Sequence, residues 1–340
     1  NQPHVGMTQL LTTMNQARLG TALFAFGVAS RAYLHAAHYA SQRLQGTHLS
    51  DMMNPSALRV PLTAHADVRR MLFEMKCKVE GCRALVYRVS LSHEQAVRLA
   101  ARGDEASRAQ AARHEAVVAL FSPIAKAYAS DQAWRICELS IQVHGGRGYT
   151  NDFPVEQFAR DVKVLSIWEG TNFVQSAELI VNRLGLGAQS PTLKLFVEEV
   201  RSVLDADLPA ALAPLREPLA RALQSVVDTH GFFCNALQMH KMPVILLNAT
   251  RFLQMMANVS LGWLLLDAAA IARARLDELP ADHPDAVYYD GKIQSARFFF
   301  ANFLGTVSEE AMRILRADTS ALDIDPEVFQ QQAVFEDFVV

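Results

Sequence analysis

The chain has 340 residues, of which 51% are hydrophobic and 20% are charged, and its formal net charge is -3. Such a chain can bury large cores and is long enough for two domains, which excludes an intrinsically disordered protein. The small net charge and a sequence pI near 6.4 provide no general attraction to nucleic acid or to an anionic membrane. We therefore expect a globular protein.

The cysteines and the amino terminus bear on the compartment. Cys77, Cys82, Cys137 and Cys234 show no Cys-x-x-Cys spacing, which favours reduced thiols over disulfides or a zinc site and predicts a cytoplasmic protein. The first residues show no secretory signal, and the chain is expected to begin within a longer protein. The most apolar region, residues 244–272, contains polar interruptions and is predicted to be a buried helix and not a membrane span.

Helical periodicity extends along most of the chain. Apolar residues recur at three- and four-residue steps, with proline- and glycine-bearing breaks between the periodic segments. The predicted helices cover residues 8–44, 64–93, 106–143, 154–164, 170–184, 192–206, 210–229, 231–276 and 286–317. No alternating β-branched run is long enough for a sheet. The sequence therefore predicts an all-α protein of two antiparallel helical bundles, residues 1–188 and residues 189–340.

The first two predicted helices each have a mostly apolar stripe that should face the core. In the first helix the stripe is Leu10, Met14, Ala17, Thr21, Phe24, Val28, His35 and Tyr39. In the second it is Val68, Met71, Leu72, Met75, Val79 and Cys82. These residues are the expected contacts between the helices of the first bundle.

The segment VLSIWEGTNFV, residues 164–174, holds an acid among apolar neighbours. Ile167, Trp168 and Phe173 surround Glu169 in sequence, which predicts poor hydration of its carboxylate. Burial disfavours the charged form of a carboxyl group and raises its pKa toward that of a base working near neutral pH. Glu169 is therefore the first candidate for a catalytic base, and we expect it to face a cleft near the glycine pair at 145–146.

That glycine pair belongs to the cluster QVHGGRG, which ends the third predicted helix. The cluster has no preceding strand, so it is neither a Rossmann fingerprint nor a P-loop. Adjacent glycines allow a ligand to lie against the backbone, and Gln142 can supply an amide hydrogen bond there. An isolated Gly-Gly is more often a plain helix C-cap, and that alternative stays open.

The segment QVHGGRGYTNDFPVEQFARDVKVLSIWEGTN resembles the carboxy-terminal helical domain of the acyl-CoA dehydrogenase family. The family pattern is Q-x-x-G-G-x-G-[YF], P-V-E, R-D and [YW]-E-G-T in this order and spacing. MNQARLG, Arg43 and SPIAKAYASDQAW fit the same family upstream, so that the resemblance covers residues 5–185. With RLQG, DVRRML and the long extra helical region, the chain also resembles the branch of large members that includes 3-(methylthio)propanoyl-CoA dehydrogenase.

The resemblance implies FAD-dependent oxidation of an acyl-CoA thioester to the enoyl-CoA. Glu169 would remove the α-proton while the β-hydride leaves for the flavin N5. The residues implied in cofactor contacts are Arg43, Gln142, Val143, His144, Gly145, Gly146, Thr171 and Asn172. The residues implied in substrate contacts are Asn15, Arg18, Trp168 and Gly170. Without the family, Arg18 and Arg43 would be interpreted as solvated helix charges and Trp168 as a core aromatic.

The resemblance also implies electron-transfer flavoprotein as acceptor and a homodimer or homotetramer, in which residues 142–146 contact a FAD bound mainly by a neighbouring subunit. Two alternatives stay open: a nucleic-acid-binding alkylation-response relative, and a catalytically silent helical assembly module. The acidic segments DELPADHPDAVYYD and SALDIDPEVF disfavour the first, so no nucleic-acid or membrane partner is expected. Glu169 disfavours the second. Residues 192–340 are predicted to be structural.

Overall fold

The computed structural model describes residues 6–51, 53–187, 189–280 and 282–329. Its helices are α1 (Gly6–Gln42), α2 (Ala66–Ala100), α3 (Glu105–His144), α4 (Val155–Lys163), α5 (Asn172–Glu178), α6 (Pro191–Leu204), α7 (Arg216–Gln238), α8 (Met242–Leu247), α9 (Ala249–Glu278), α10 (Ala286–Phe299), α11 (Thr306–Leu315) and α12 (Ser320–Asp323). Within the described ranges, extended backbone pairs only in the isolated bridge between Leu44 and Pro61. The prediction of an all-α helical protein is confirmed.

Helices α1, α2 and α3 form the first bundle, in which both α1 and α2 pack along α3. The buried face of α1 consists largely of alanines: Ala22, Ala25, Ala29, Ala32, Ala36 and Ala40. Phe24 is 61% exposed, so the predicted core stripe of α1 is wrong at this position. The physical reason is the close approach of two long helices, which small side chains permit; Ser140 Oγ of α3 donates a hydrogen bond to the carbonyl of Ala32 at 2.9 Å.

Two predicted helix ends are wrong. Helix α2 continues to Ala100, past the predicted end at residue 93, because Ala96 and Leu99 remain buried against the bundle. The predicted single helix over residues 231–276 is also wrong, since the structure divides this range among the end of α7, α8 and α9. Helix α7 continues through Gly231, past the break expected at residue 230, because Phe233 and Ala236 beyond it are buried. Burial of the following turn outweighs the weak helix propensity of a single glycine.

Helix α9 lies in the core of the second half and also packs against α2, α3 and α5 of the first. It is long and apolar enough to cross a membrane by length and composition, yet most of its apolar window is buried inside the fold. The ring of Trp263 on α9 lies 6.1 Å from that of Phe121 on α3. The prediction of a buried helix in this region is confirmed, and α9 joins the two halves. The predicted boundary at residue 188 lies outside the described residues and stays a prediction.

All four cysteines are free and buried. Burial raises the pKa of the Cys82 and Cys137 thiols to about 12, because the low-polarity surroundings disfavour the thiolate. These thiols are therefore inert core residues at neutral pH.

The contact between α2 and α9 depends on Gly81. A Cβ atom at this position would lie 2.7 Å from Cγ and Cδ2 of Leu261, which is itself fully buried. We expect Gly81→Ala to destabilise the protein by about 1–3 kcal/mol through overpacking. Gly27→Ala, at an exposed site on α1 with open space around it, should stabilise it by up to about 1 kcal/mol. Thermal unfolding of the two variants tests this, and a shift of both in the same direction would contradict the interpretation.

Candidate active site

The backbone turns sharply at Glu169 and Gly170, between α4 and α5. The φ angles are 54° at Glu169 and 82° at Gly170, both in the left-handed region. This conformation costs a residue with a side chain, such as Glu169, about 1–2 kcal/mol. At Gly170 an added Cβ atom would lie 2.9 Å from Nε2 of Gln175. Other contacts must therefore stabilise the turn.

Two fully buried side chains provide these contacts. Nε2 of Gln175 donates to the carbonyl oxygens of Glu169 at 3.0 Å and Gly170 at 3.1 Å. Nζ of Lys126, from the middle of α3, donates to the carbonyl oxygen of Gly170 at 2.8 Å and to Oδ1 of Asn172 at 3.0 Å. The backbone of the turn is thus bound to the interior, while the side chain of Glu169 is exposed.

The start of α5 is bound to α3 through Asn172. Its Nδ2 donates to Oδ1 of Asp131 at 2.7 Å, to Oγ of Ser130 at 3.0 Å and to the carbonyl of Ala127 at 3.1 Å. Thr171 is the N-cap, since its Oγ1 accepts a hydrogen bond from the N–H of Val174 at 3.4 Å. The Asn172 side chain, predicted to contact flavin, is therefore engaged inside this chain, whereas Thr171 is exposed.

Sequence reasoning missed Lys126. Burial lowers the pKa of this amine to about 8, with Asp131 and Glu169 raising it and Arg18 lowering it by their charges. These charges meet only in three dimensions, because they belong to α1, α3 and the turn before α5. The one local signal was a lysine among the small and apolar residues of SPIAKAYAS, within the third predicted helix.

Arg18 on α1 is 1% exposed and forms an ion pair with Glu178 at the end of α5. One of its guanidinium nitrogens lies 3.0 Å from Oε1 of Glu178, which also accepts a hydrogen bond from Nε of Arg183 at 3.1 Å. The alternative of a solvated helix charge is wrong for Arg18, because its side chain is buried in this ion pair. Its implied contact with substrate stays a prediction. Asn15 belongs to α1, but its side chain lies outside the described part of the chain.

The expected burial of Glu169 is not observed in this chain. Exposed fractions are 56% for Ile167, 44% for Trp168 and 49% for Phe173, and Glu169 is exposed beside them. The expectation was wrong because apolar neighbours in sequence bury a carboxylate only when another layer covers them, and no described element covers this edge of the bundle. A group of exposed apolar side chains around one acid is typical of a surface that another protein segment or a ligand covers.

Four of the predicted cofactor residues, Gln142 to Gly145, line a cleft of about 470 Å³ at the carboxy-terminal end of α3, whereas Arg43 and Gly146 are not among its lining residues. Its lining includes Tyr39, Gln45, Gly46, Leu62, His65 and residues 142–145. Gly145, with a φ of 63°, ends α3 as its C-cap. The ring of His144 stacks on that of Tyr39 at 4.4 Å, and its Nδ1 lies 2.7 Å from the carbonyl oxygen of Ser140. Burial lowers the pKa of His144, so the imidazole is neutral near pH 7.

The predicted residues in and next to this cleft differ in what they expose. Gln142, Gly145 and Gly146 are exposed, whereas the side chains of Val143 and His144 are buried. Arg43 is half-buried, and its Nε is a buried donor with no hydrogen-bond partner among the described residues. An unsatisfied buried guanidinium nitrogen is costly, which favours an anionic ligand next to it.

The residues of the Glu169 turn and the residues of the 142–145 cleft do not form one site. Lys126, below the Glu169 turn, and Gly145 are separated by about 28 Å of helix at the usual rise per residue. Glu169 is not among the residues that line the 470 Å³ cleft. The expectation that Glu169 faces a cleft near the glycine pair is therefore wrong for a single chain, because α3 places the two at different levels of the bundle.

Among the described residues, no group of three or more His, Cys, Asp and Glu side chains could hold a metal ion. His230, in the second half, instead bonds through Nε2 to the carbonyl oxygen of Gly185 at 2.8 Å. It connects α7 with the end of the first bundle.

The chain matches two family models and several known proteins. The model described as "Acyl-CoA dehydrogenase, C-terminal domain" matches residues 4–185, and the model described as "Acetyl-CoA dehydrogenase C-terminal like" matches residues 196–325. A butyryl-CoA dehydrogenase of Syntrophomonas wolfei is 34% identical over 95% of this chain and 51% of its own length. The 3-methylmercaptopropionyl-CoA dehydrogenase of Ruegeria pomeroyi is 30% identical over 93% of this chain and 52% of its own.

A solved acyl-CoA dehydrogenase from Bacillus anthracis, complexed with FAD, has the same fold, with a TM-score of 0.68 at 19% identity over 92% of this chain and 50% of that one. The chain thus spans about half the length of the relatives that it matches. The match to the first family model covers more than half of the chain and includes both sets of candidate site residues. The chain belongs to the acyl-CoA dehydrogenase family.

Proposed function

We propose that the complete protein is a FAD-dependent enzyme that oxidises an acyl-CoA thioester to the enoyl-CoA. The observation that carries the proposal is Glu169, a carboxylate presented to the outside on a strained turn whose backbone is bound by buried Lys126 and Gln175. Strained residues that the surrounding structure holds in place are typical of functional sites. The family and the names of the relatives support the reaction class.

We propose that the cleft at residues 142–145 holds the phosphate-bearing part of the cofactor. Arg43 precedes the lining residue Gln45 by two positions, and an anionic pyrophosphate beside it would give its buried Nε an acceptor. The exposed glycines would allow the backbone to approach a ligand closely. These residues fit the phosphate-bearing part of FAD. When bound, FAD supplies an acceptor for the β-hydride at its N5 atom.

The role of this chain at the reacting carbon is to place a base. The Glu169 carboxylate would take the α-proton of the thioester, a proton that is weakly acidic and needs a positioned acceptor. Ile167, Trp168 and Phe173 would exclude water from it once covered, which disfavours the charged carboxylate and strengthens it as a base. We propose that the half of the relatives' length that this chain does not span supplies the cover.

The separation of the Glu169 turn from the 142–145 cleft supports a homodimer or homotetramer. In such an assembly, the 142–145 cleft of one copy and Glu169 of another would lie at the same FAD. Electron-transfer flavoprotein as acceptor and a cytoplasmic location remain proposals. The four buried, free cysteines are compatible with a reducing compartment.

The proposal is tested on the complete protein under anaerobic conditions. We expect a yellow protein whose flavin absorbance bleaches on adding butyryl-CoA or 3-methylmercaptopropionyl-CoA, but not on adding free CoA. A flavin-containing protein that no acyl-CoA of any tested chain length bleaches would contradict the proposed reaction. A complete protein that retains no flavin at all would favour the alternative of an assembly module.

A further inference from the structure

We infer that Lys126 and Gln175 are positioning residues for Glu169, because their buried donors hold two consecutive backbone carbonyls of the turn and thereby fix the direction of the base. This inference rests on the proposed function of Glu169. Both side chains are fully buried beneath the turn, so they act on the exposed Glu169 carboxylate only through the backbone.

The backbone of the turn at Glu169 and Gly170 is constrained. Glu169 and Gly170 both have left-handed φ angles, a conformation that a residue with a side chain adopts only under constraint. The carbonyl oxygens of both residues accept from Nε2 of Gln175, and that of Gly170 also accepts from Nζ of Lys126. Three hydrogen bonds, from donors on α3 and α5, therefore fix the backbone conformation of the turn that precedes α5.

Lys126 is itself held in place from several sides. Oδ1 of Asn172 accepts from its Nζ, and Nδ2 of the same amide donates to Asp131. Asp131 in turn accepts from Nε2 of Gln254 on α9 at 3.2 Å. The turn is thus connected through α3 to the core helix of the second half.

A buried ammonium has a large desolvation cost, which a methionine of similar length would avoid. The Lys126 amine donates hydrogen bonds to Gly170 and Asn172 at the same time, which a methionine could not do. A different role is also conceivable, in which the positive charge stabilises the Glu169 carboxylate directly. The charges facing Lys126 are Asp131, Arg18 and Glu169, so the two roles can be separated by removing the charge while keeping a donor.

The test uses Lys126→Met, Lys126→Gln and Gln175→Met in the complete flavoprotein. Positioning predicts that Lys126→Met and Gln175→Met each reduce the rate of flavin reduction at saturating acyl-CoA by roughly 10²-fold, with the Kd for acyl-CoA unchanged, because misplacement of about 1 Å costs that factor. Lys126→Gln, which keeps a donor without the charge, should recover part of the rate. Lys292→Met, which removes a partly buried lysine bonded to Glu80 on the α2–α10 contact, is the matched control and should react at the parental rate.

The second readout is hydrogen–deuterium exchange of peptides that cover residues 164–175. Loss of a hydrogen bond from a charged donor should make exchange roughly ten- to a hundredfold faster there in Lys126→Met, with the thermal midpoint of the whole protein little changed. Positioning would be wrong, and a direct charge effect favoured, if two results came together. Lys126→Met and Lys126→Gln would exchange as the parental protein does, and both would show the same loss of rate and the same shift of the pH profile. Parental rates in all three site variants would also overturn positioning.

The two proposals fail differently. If the parental protein reduces flavin while Lys126→Met matches it in rate and exchange, the positioning inference is wrong and the proposed function stands. If acyl-CoA never reduces the parental flavin, the proposed function is wrong. The exchange measurement then still decides whether Lys126 and Gln175 hold the turn.

Discussion

Glu169→Gln in the complete protein is expected to slow flavin reduction by acyl-CoA by roughly 10²–10⁴-fold, the contribution typical of a positioned general base. Glutamine keeps the size of the side chain and removes its ability to accept a proton. The turn should survive the substitution, because its hydrogen bonds from Gln175 and Lys126 go to backbone carbonyls and not to the carboxylate. Stopped-flow absorbance with a saturating acyl-CoA measures the rate.

Glu156→Gln is a suitable control for this experiment. Glu156 lies on α4 in an ion pair with the exposed Arg160, outside both sets of candidate residues. The control should reduce flavin at the parental rate, and both variants should bind acyl-CoA as the parental protein does. A parental rate in Glu169→Gln would remove Glu169 from the mechanism even if the protein proves to be a dehydrogenase.

Glu178→Gln is expected to destabilise the protein by about 3–5 kcal/mol, the usual cost of removing one partner from a buried ion pair. Arg18 is enclosed and would lose this carboxylate, and Arg183 beside it would add repulsion. Urea unfolding measures the change. Glu217→Gln, in an exposed pair with Arg221, is the matched control and should change stability by less than about 1 kcal/mol. Equal effects of the two substitutions would show that burial does not decide the strength of the Arg18 pair.

The same pair predicts a dependence on pH. Burial alone would raise the pKa of Glu178, but the hydrogen bonds and charges of Arg18 and Arg183 outweigh it and hold that pKa below the ordinary value of 4.5. A carboxyl group with a lowered pKa in the folded state stabilises the protein above its unfolded-state pKa, and this stability is lost as pH falls through the folded-state value. We therefore expect stability to fall below about pH 4.5 in the parental protein, and less steeply in Glu178→Gln. Parallel pH curves would contradict this.

The contrast between Gly145 and Lys126 shows which parts of the site could be predicted. Gly145 ends α3 in a left-handed conformation, and both the helix and its end follow from residues within a few positions of each other. Lys126 meets Gly170, 44 residues away in sequence, and Arg18 meets Glu178, 160 residues away. No local pattern specifies such pairs, because they depend on how α1, α3 and α5 cross.

The amino-acid sequence by itself determined the all-α class, most helix positions and the family, because helical periodicity, glycine caps and the spacing of Q-x-x-G-G with W-E-G-T are properties of neighbouring residues. Only the tertiary structure decided that the Glu169 carboxylate is exposed while buried side chains bind its backbone, and that about 28 Å of helix separates Lys126, which binds this turn, from Gly145 in the cleft. The burial of a residue depends on which other elements cover it, and the 40-residue length of α3 separates the elements that pack at its middle from those at its end.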